Sequence, residues 1–168
     1  MRNPVLLGII LFVVGFAFAR EIKIAYFDSE KLRNEWSEWK DAQAKFDQEV
    51  AQWQSKAQGL EDEINAMLEE YQRQELLLSD DKKQEKQMLI QQKQQEYQQF
   101  LSSIFSDGGR AAQRNAELTA PLYEKINKAL ARISDREGYV VVFDAASSGI
   151  AYIDPSLDIT ETLIQELK

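Results

Sequence analysis

The stretch LRNEWSEWKDAQAKFDQEVAQWQSKAQGLEDEINAMLEEYQRQELLL, residues 32–78, decides the fold. Leu32, Trp36, Trp39, Gln43, Phe46, Val50, Trp53, Ala57, Leu60, Ile64, Met67, Tyr71, Gln74 and Leu78 recur at alternating steps of three and four. Only Gln43 and Gln74 interrupt the apolar seam. A pattern sustained over this many heptads predicts one unbroken helix packed against a coiled-coil partner. At 1.5 Å per residue it spans roughly 70 Å, too long to lie inside a globular domain of 168 residues.

The partner comes from the same chain. Ser79-Asp80-Asp81 reads as a tight turn, with serine as an N-cap and two aspartates at the positive end of the next helix. A return seam follows at Ile90, Gln94, Tyr97, Leu101, Ile104, Gly108, Ala111, Asn115, Leu118 and Leu122. After one extra four-residue step, a stutter that locally unwinds a supercoil, it continues through Ile126, Ala129 and Ile133. Folding about residue 79 sets Ile126 beside Leu32, Gly108 beside Val50 and Gly59 beside Gln99. Glycine costs a helix about 1 kcal/mol relative to alanine, so Gly59, Gly108 and Gly109 mark a soft zone halfway up the hairpin. Pro121 removes a helical hydrogen bond and is a further hinge position. The tip half is soft for another reason: residues 79–99 are rich in Gln and Lys, with only Met88, Leu89, Ile90 and Tyr97 to pack.

The remaining segments are short. Ile22-Lys23-Ile24-Ala25-Tyr26-Phe27 alternates as a strand does, with Ile22, Ile24 and Tyr26 on one face. Gly138 ends the second helix, residues 139–143 read as a buried strand, and residues 149–153 as a third short strand. Asp158-Ile159-Thr160-Glu161 resembles a capping box that starts a last helix. The fold class expected is α+β: a long helical hairpin at residues 41–117 on a small β-rich body built from residues 20–40 and 118–168. A body this small is marginal alone, and its short strands have edges that need covering. Oligomerisation is the simplest remedy, and three sets of three strands can close into a barrel.

Composition narrows the function. Residues 1–19 have the layout of a cleavable secretory signal peptide: Arg2, an apolar run from Val5, and Ala17-Phe18-Ala19 as the cleavage signal. The run is shorter than the roughly 20 residues a spanning helix needs, so no lasting membrane insertion is expected. Cleavage removes Arg2 and lowers 20 basic residues to 19 against 28 acidic, a net of −9. An acidic exported chain is a poor binder of nucleic acid. There is no cysteine and no histidine, which removes disulfides, thiol chemistry, the usual zinc ligand and every Ser-His-Asp arrangement. No enzyme, metal or cofactor is expected. Asp28 and Asp144 follow strands, where aspartates cap turns or helices, and Ser147-Ser148-Gly149 has no histidine to activate a serine.

Several motifs together carry a family resemblance. Pro121-Leu122-Tyr123-Glu124-Lys125-Ile126-Asn127-Lys128-Ala129 leads into Gly138-Tyr139-Val140-Val141-Val142-Phe143-Asp144, then into Ile153-Asp154-Pro155 and Leu157-Asp158-Ile159-Thr160. With the strand ending at Asp28, this resembles the OmpH family of periplasmic chaperones over the whole mature chain. Residues 23–28 and 121–160 are its specific parts; the arms match only as a pattern. The resemblance implies a jellyfish-shaped homotrimer in the periplasm, whose three hairpins enclose unfolded outer-membrane β-barrel proteins without ATP. It implies trimer contacts among Ile22, Ile24, Tyr26, Tyr139, Val140, Val142, Ile150 and Tyr152. Cavity-facing arm residues would hold the client, with Trp53, Leu60, Met67, Leu76, Leu77, Leu78, Lys82, Lys83, Lys86 and Met88 as candidates.

One departure stands out. The family's familiar chaperone has basic arms, thought to attract acidic clients and anionic lipid, whereas residues 46–117 here hold 8 basic and 14 acidic side chains. Capture must then rest on apolar patches, the lysine-bearing tip and exclusion from water. Trp36, Trp39 and Trp53 fall on the seam, where hairpin packing is their first use; core filling is likewise the first use of Met67 and Met88. Leu76, Leu77 and Leu78 cover more than one helix face, so at least one is exposed or held by the tip turn. A second reading is a structural coiled coil of the cell envelope that bridges fixed partners. A rigid spacer should keep an apolar seam to its tip and avoid glycine, and residues 79–109 do neither.

Overall fold

The structure is a computed structural model that describes residues 22–147 and 149–168. The expected signal peptide and Ser148 lie outside those residues. Strand β1 (Lys23–Phe27) ends at Asp28, whose carboxylate accepts from the backbone N–H groups of Glu30 and Lys31 at 2.8 and 3.0 Å. That is an N-cap, and it starts helix α1 (Ser29–Glu35). Helix α1 stops at Trp36, whose extended backbone (φ −79°, ψ 118°) separates it from α2 (Ser37–Gln74). The seam predicted as one helix from Leu32 is therefore carried by two. Leu32, Trp36 and Trp39 all sit in the body core, and the bend wraps the chain around that core before α2 leaves it.

Helix α2 has 38 residues, roughly 57 Å. A single 3-10 turn at Glu75–Leu77, then Leu78 and Ser79, reverses the chain into α3 (Asp80–Phe105). The return arm is not continuous either: α3 ends at Phe105 and α4 (Arg110–Glu137) begins after four intervening residues. Cross-helix ion pairs locate what the break does. Glu63 faces Lys93 near the tip, and Glu49 faces Arg114 near the root. Moving 14 residues down α2 thus consumes 21 residues of the return arm, and the surplus heptad is taken up around residues 106–109. Because the surplus is a whole heptad, Ile104 is buried and Ala111 half-buried on either side of the break.

The two glycines there have different jobs. Gly108 has φ +71°, the left-handed region that favours glycine. Gly109 has ordinary dihedrals, but a Cβ on it would lie 2.7 Å from the Ile104 carbonyl oxygen and 2.8 Å from that of Ser106. Its own N–H donates to that Ser106 oxygen at 2.8 Å. The predicted soft zone is here a helix break. Gly59, by contrast, lies inside continuous α2 with nothing near its missing Cβ, and α4 runs through Pro121 without interruption.

The body packs two strands, the hairpin root and a short last helix, α5 (Thr160–Glu166), into one core of Ala25, Phe27, Leu32, Trp36, Trp39, Leu122, Ile126, Ala129, Ile133, Ile159, Leu163 and Ile164. Strands β1 and β2 (Tyr139–Asp144) pair in parallel, Ile24 with Val141 and Tyr26 with Phe143. A shift between Lys23 and Ile24 leaves Val140 as an extra residue on β2, a β-bulge. Residues 149–153, predicted as a third strand, form none. Ile159 N–H donates to the Tyr26 carbonyl at 2.8 Å and Asp28 N–H to Thr160 Oγ1 at 2.9 Å, so the outer edge of β1 is already occupied. Asp158 accepts from Thr160 N–H at 2.8 Å, but the N-cap position of α5 is Ile159, which makes no side-chain cap bond.

Along the arm only Ala57, Ile64, Ile90 and Ile104 are buried. With so thin a seam, helix propensity carries much of the arm's stability. Gly59→Ala is expected to stabilise the arm by about 1 kcal/mol, and Gly109→Ala to destabilise it. Thermal unfolding followed by circular dichroism at one protein concentration checks both, and a destabilised Gly59→Ala protein contradicts the reading of α2.

Candidate functional site

The tip is where the arm exposes most apolar surface. Its 3-10 turn points two consecutive side chains outward, since three residues per turn cannot hold both on the seam. Leu76 is 96% exposed and Leu77 87%, while Leu78 is half-buried against the turn. Met88 and Leu89, more than two turns into α3, are exposed as well, and Ile90 turns inward. Ser79 occupies the N-cap position of α3, but its hydroxyl makes no cap hydrogen bond; its carbonyl accepts from Lys83 N–H instead.

The tip lysines are not free cations. Lys82 pairs with Glu85, Lys83 with Asp80 at 3.8 Å, Lys86 with Glu70 at 2.8 Å, and Lys93 with Glu63 at 3.1 Å. Those from Lys86 and Lys93 tie α3 to α2. Hydrogen bonding from Lys86 holds the Glu70 carboxyl below the ordinary glutamate range, and Lys82 does the same for Glu85. Further down, Trp53, Leu60 and Met67 are half-buried on the seam. The Arg110 guanidinium lies 5.9 Å from the Trp53 ring, and Met67, Leu89 and Ile90 line a cleft of about 250 Å³ with Glu70 and Lys86.

A second uncovered surface lies on the body. Ala25 and Phe27 face the core, which turns Ile24 and Ile22 outward. The bulge at Val140 shifts the phase of β2: Tyr139 and Val142 pack on the core, while Val140, Val141 and Phe143 are exposed. Tyr26 and Ile150 are half-buried, and Tyr152 is 81% exposed. Of the residues expected on the contact face, Ile22, Ile24, Val140 and Tyr152 lie open. Val141 and Phe143, which strict alternation passes over, join them. Leu89 joins the exposed residues of the outer arm; it lies off the seam, and being off the seam is itself the signal.

The polar groups near the strand ends are structural. Asp144 accepts from Ser29 N–H, Ala146 N–H and the Ser147 hydroxyl at 3.3, 3.1 and 2.8 Å. Burial works against its charge, yet the bonds from Ser29, Ser147 and Ala146 outweigh it and hold the carboxyl below the ordinary aspartate range. Asp28 caps α1. Among the described residues no acidic cluster is arranged to hold a metal, and no helix is long and apolar enough to cross a membrane.

A family model described as outer membrane protein (OmpH-like) matches residues 23–167. The chain belongs to the OmpH-like family. No curated protein matches it. The same fold occurs in a crystal structure of an OmpH-like protein from Caulobacter crescentus CB15, provisionally assigned as an outer membrane chaperone. The likeness has a TM-score of 0.73 at 13% identity and covers 94% of this chain and 90% of the other. At that identity the comparison speaks for the fold: long helices on a small parallel strand pair.

Acid should loosen this OmpH-like arm. Glu70 and Glu85 have folded-state pKa values lowered by lysine hydrogen bonds. Their contribution is present above the ordinary glutamate value and lost as pH falls through it and below. The arm's helical signal is expected to melt at a lower temperature at about pH 3 than at neutral pH. An unchanged or higher melting temperature in acid contradicts the ion-pair account.

Proposed function

We propose that the protein is a periplasmic holdase chaperone. It works as a homotrimer without ATP, holding unfolded outer-membrane β-barrel proteins among its arms and keeping them from aggregating. The observation that carries this reading is a pair of fully exposed leucines at the end of a helical arm about 57 Å long. Exposed apolar patches mark interaction sites, and no described residue covers this one. Family membership supports a chaperone role. Each contact is weak, and several arms acting together supply avidity. The helix break at residues 106–109 suits a gripper better than a rigid spacer between fixed partners.

The trimer reading rests on the body. Parallel sheets are normally covered on both faces, yet here Ile24, Val141 and Phe143 are exposed on a two-stranded parallel sheet. Copies of the same chain are the natural cover, with residues 149–153 available to pair. Two measurements test these statements. Diluting a urea-unfolded outer-membrane β-barrel protein into buffer is expected to give much less light scattering with several-fold excess of this protein; unchanged scattering sinks the holdase. Sedimentation of the mature chain is expected to give a trimer at micromolar concentration, and a monomer would remove the cage.

A further inference from the structure

We propose that the outer part of the arm selects unfolded segments that are both apolar and net positive. This deepens the chaperone reading and rests on it. Residues 46–117 contain eight cationic side chains, and among the described residues seven are engaged within the arm. Five are ion-paired with carboxylates. Lys56 lies 4.9 Å from the Phe100 ring and Arg110 5.9 Å from the Trp53 ring.

The surplus charge is therefore carboxylate. Glu61, Asp62, Glu69 and Asp81 are exposed and, among the described residues, form no ion pair with lysine or arginine. From residue 61 to Leu76 along α2 is roughly 22 Å, so a short extended segment can touch the exposed leucines and these carboxylates together. Extended chain rises about 3.4 Å per residue, and a stretch of about seven residues covers that distance. Charge complementarity decides among the occupants of the apolar tip. A second tip would bring two acidic arms together, and an anionic lipid surface would be repelled. An unfolded segment with lysine or arginine between its apolar residues meets both surfaces favourably.

Two synthetic peptides with the same apolar residues, one spaced by lysine and one by glutamate, test the inference by fluorescence anisotropy against the mature protein. The lysine peptide is expected to bind at least about tenfold tighter at low ionic strength, and the preference to shrink toward 1 M salt, where the Debye length falls to about 3 Å. Leu76→Ser with Leu77→Ser should weaken both peptides. Glu61→Gln, Asp62→Asn, Glu69→Gln and Asp81→Asn together should narrow the gap between them; these sites are exposed, so the fold is kept. Equal binding of both peptides, or a preference that survives the charge variant, overturns the inference. If aggregation is still suppressed in that case, the chaperone reading stands. If the protein neither binds a peptide nor suppresses aggregation, both readings fall. Co-sedimentation with phosphatidylcholine vesicles that the leucine variant abolishes assigns the tip to a membrane and also overturns the inference.

Discussion

Everything in this molecule hangs from the packing of the hairpin root into the body. Leu32, Trp36 and Trp39 on one side and Leu122, Ile126, Ala129 and Ile133 on the other close around Ala25, Phe27, Leu163 and Ile164. The Trp39 and Tyr123 rings meet edge-on at 5.4 Å. Among the described residues this is the large apolar core, and it clamps both ends of the arm. A fully buried side chain of this kind contributes roughly 1.5–3 kcal/mol, so the root holds most of the fixed structure. Beyond it the arm is a cantilever.

Along that cantilever the balance of forces changes. Burial becomes sparse, limited to Ala57, Ile64, Ile90 and Ile104, and cross-helix ion pairs take over alignment. Exposed pairs of this type contribute little stability each, but they set register: Glu63 with Lys93 and Glu70 with Lys86 share one offset, while Glu49 with Arg114 and Glu38 with Lys125 share another. The glycine break joins the two. An arm aligned by weak polar contacts and joined at a break can yield to a client of irregular shape, at a cost far below that of opening a packed core.

The same pairing changes the meaning of the tip. Counted in one dimension, Lys82, Lys83, Lys86 and Lys93 make a positive end on an acidic arm. In the fold each has a carboxylate beside it, and what remains uncompensated is acid. The tip presents aliphatic surface in an acidic field.

The sequence by itself determined the hairpin, its tip at residue 79, the small α+β body and the family. Heptad spacing is a local, repeated signal, and turn and cap residues such as Asp28, Gly138 and Asp158 mark element ends through hydrogen bonds to near neighbours. What only the tertiary structure decided was where that pattern breaks and which side chains are spent internally. The break at Trp36 follows from core packing, and the break at Gly108-Gly109 hides in sequence because a surplus of one heptad leaves the spacing intact. The bulge at Val140 turns Val141 and Phe143 outward, against simple alternation. Residues 149–153 form no strand, and β1 gives its outer edge to residues 158–160. Each depends on contacts between residues far apart in the chain, and a periodic pattern carries no record of those.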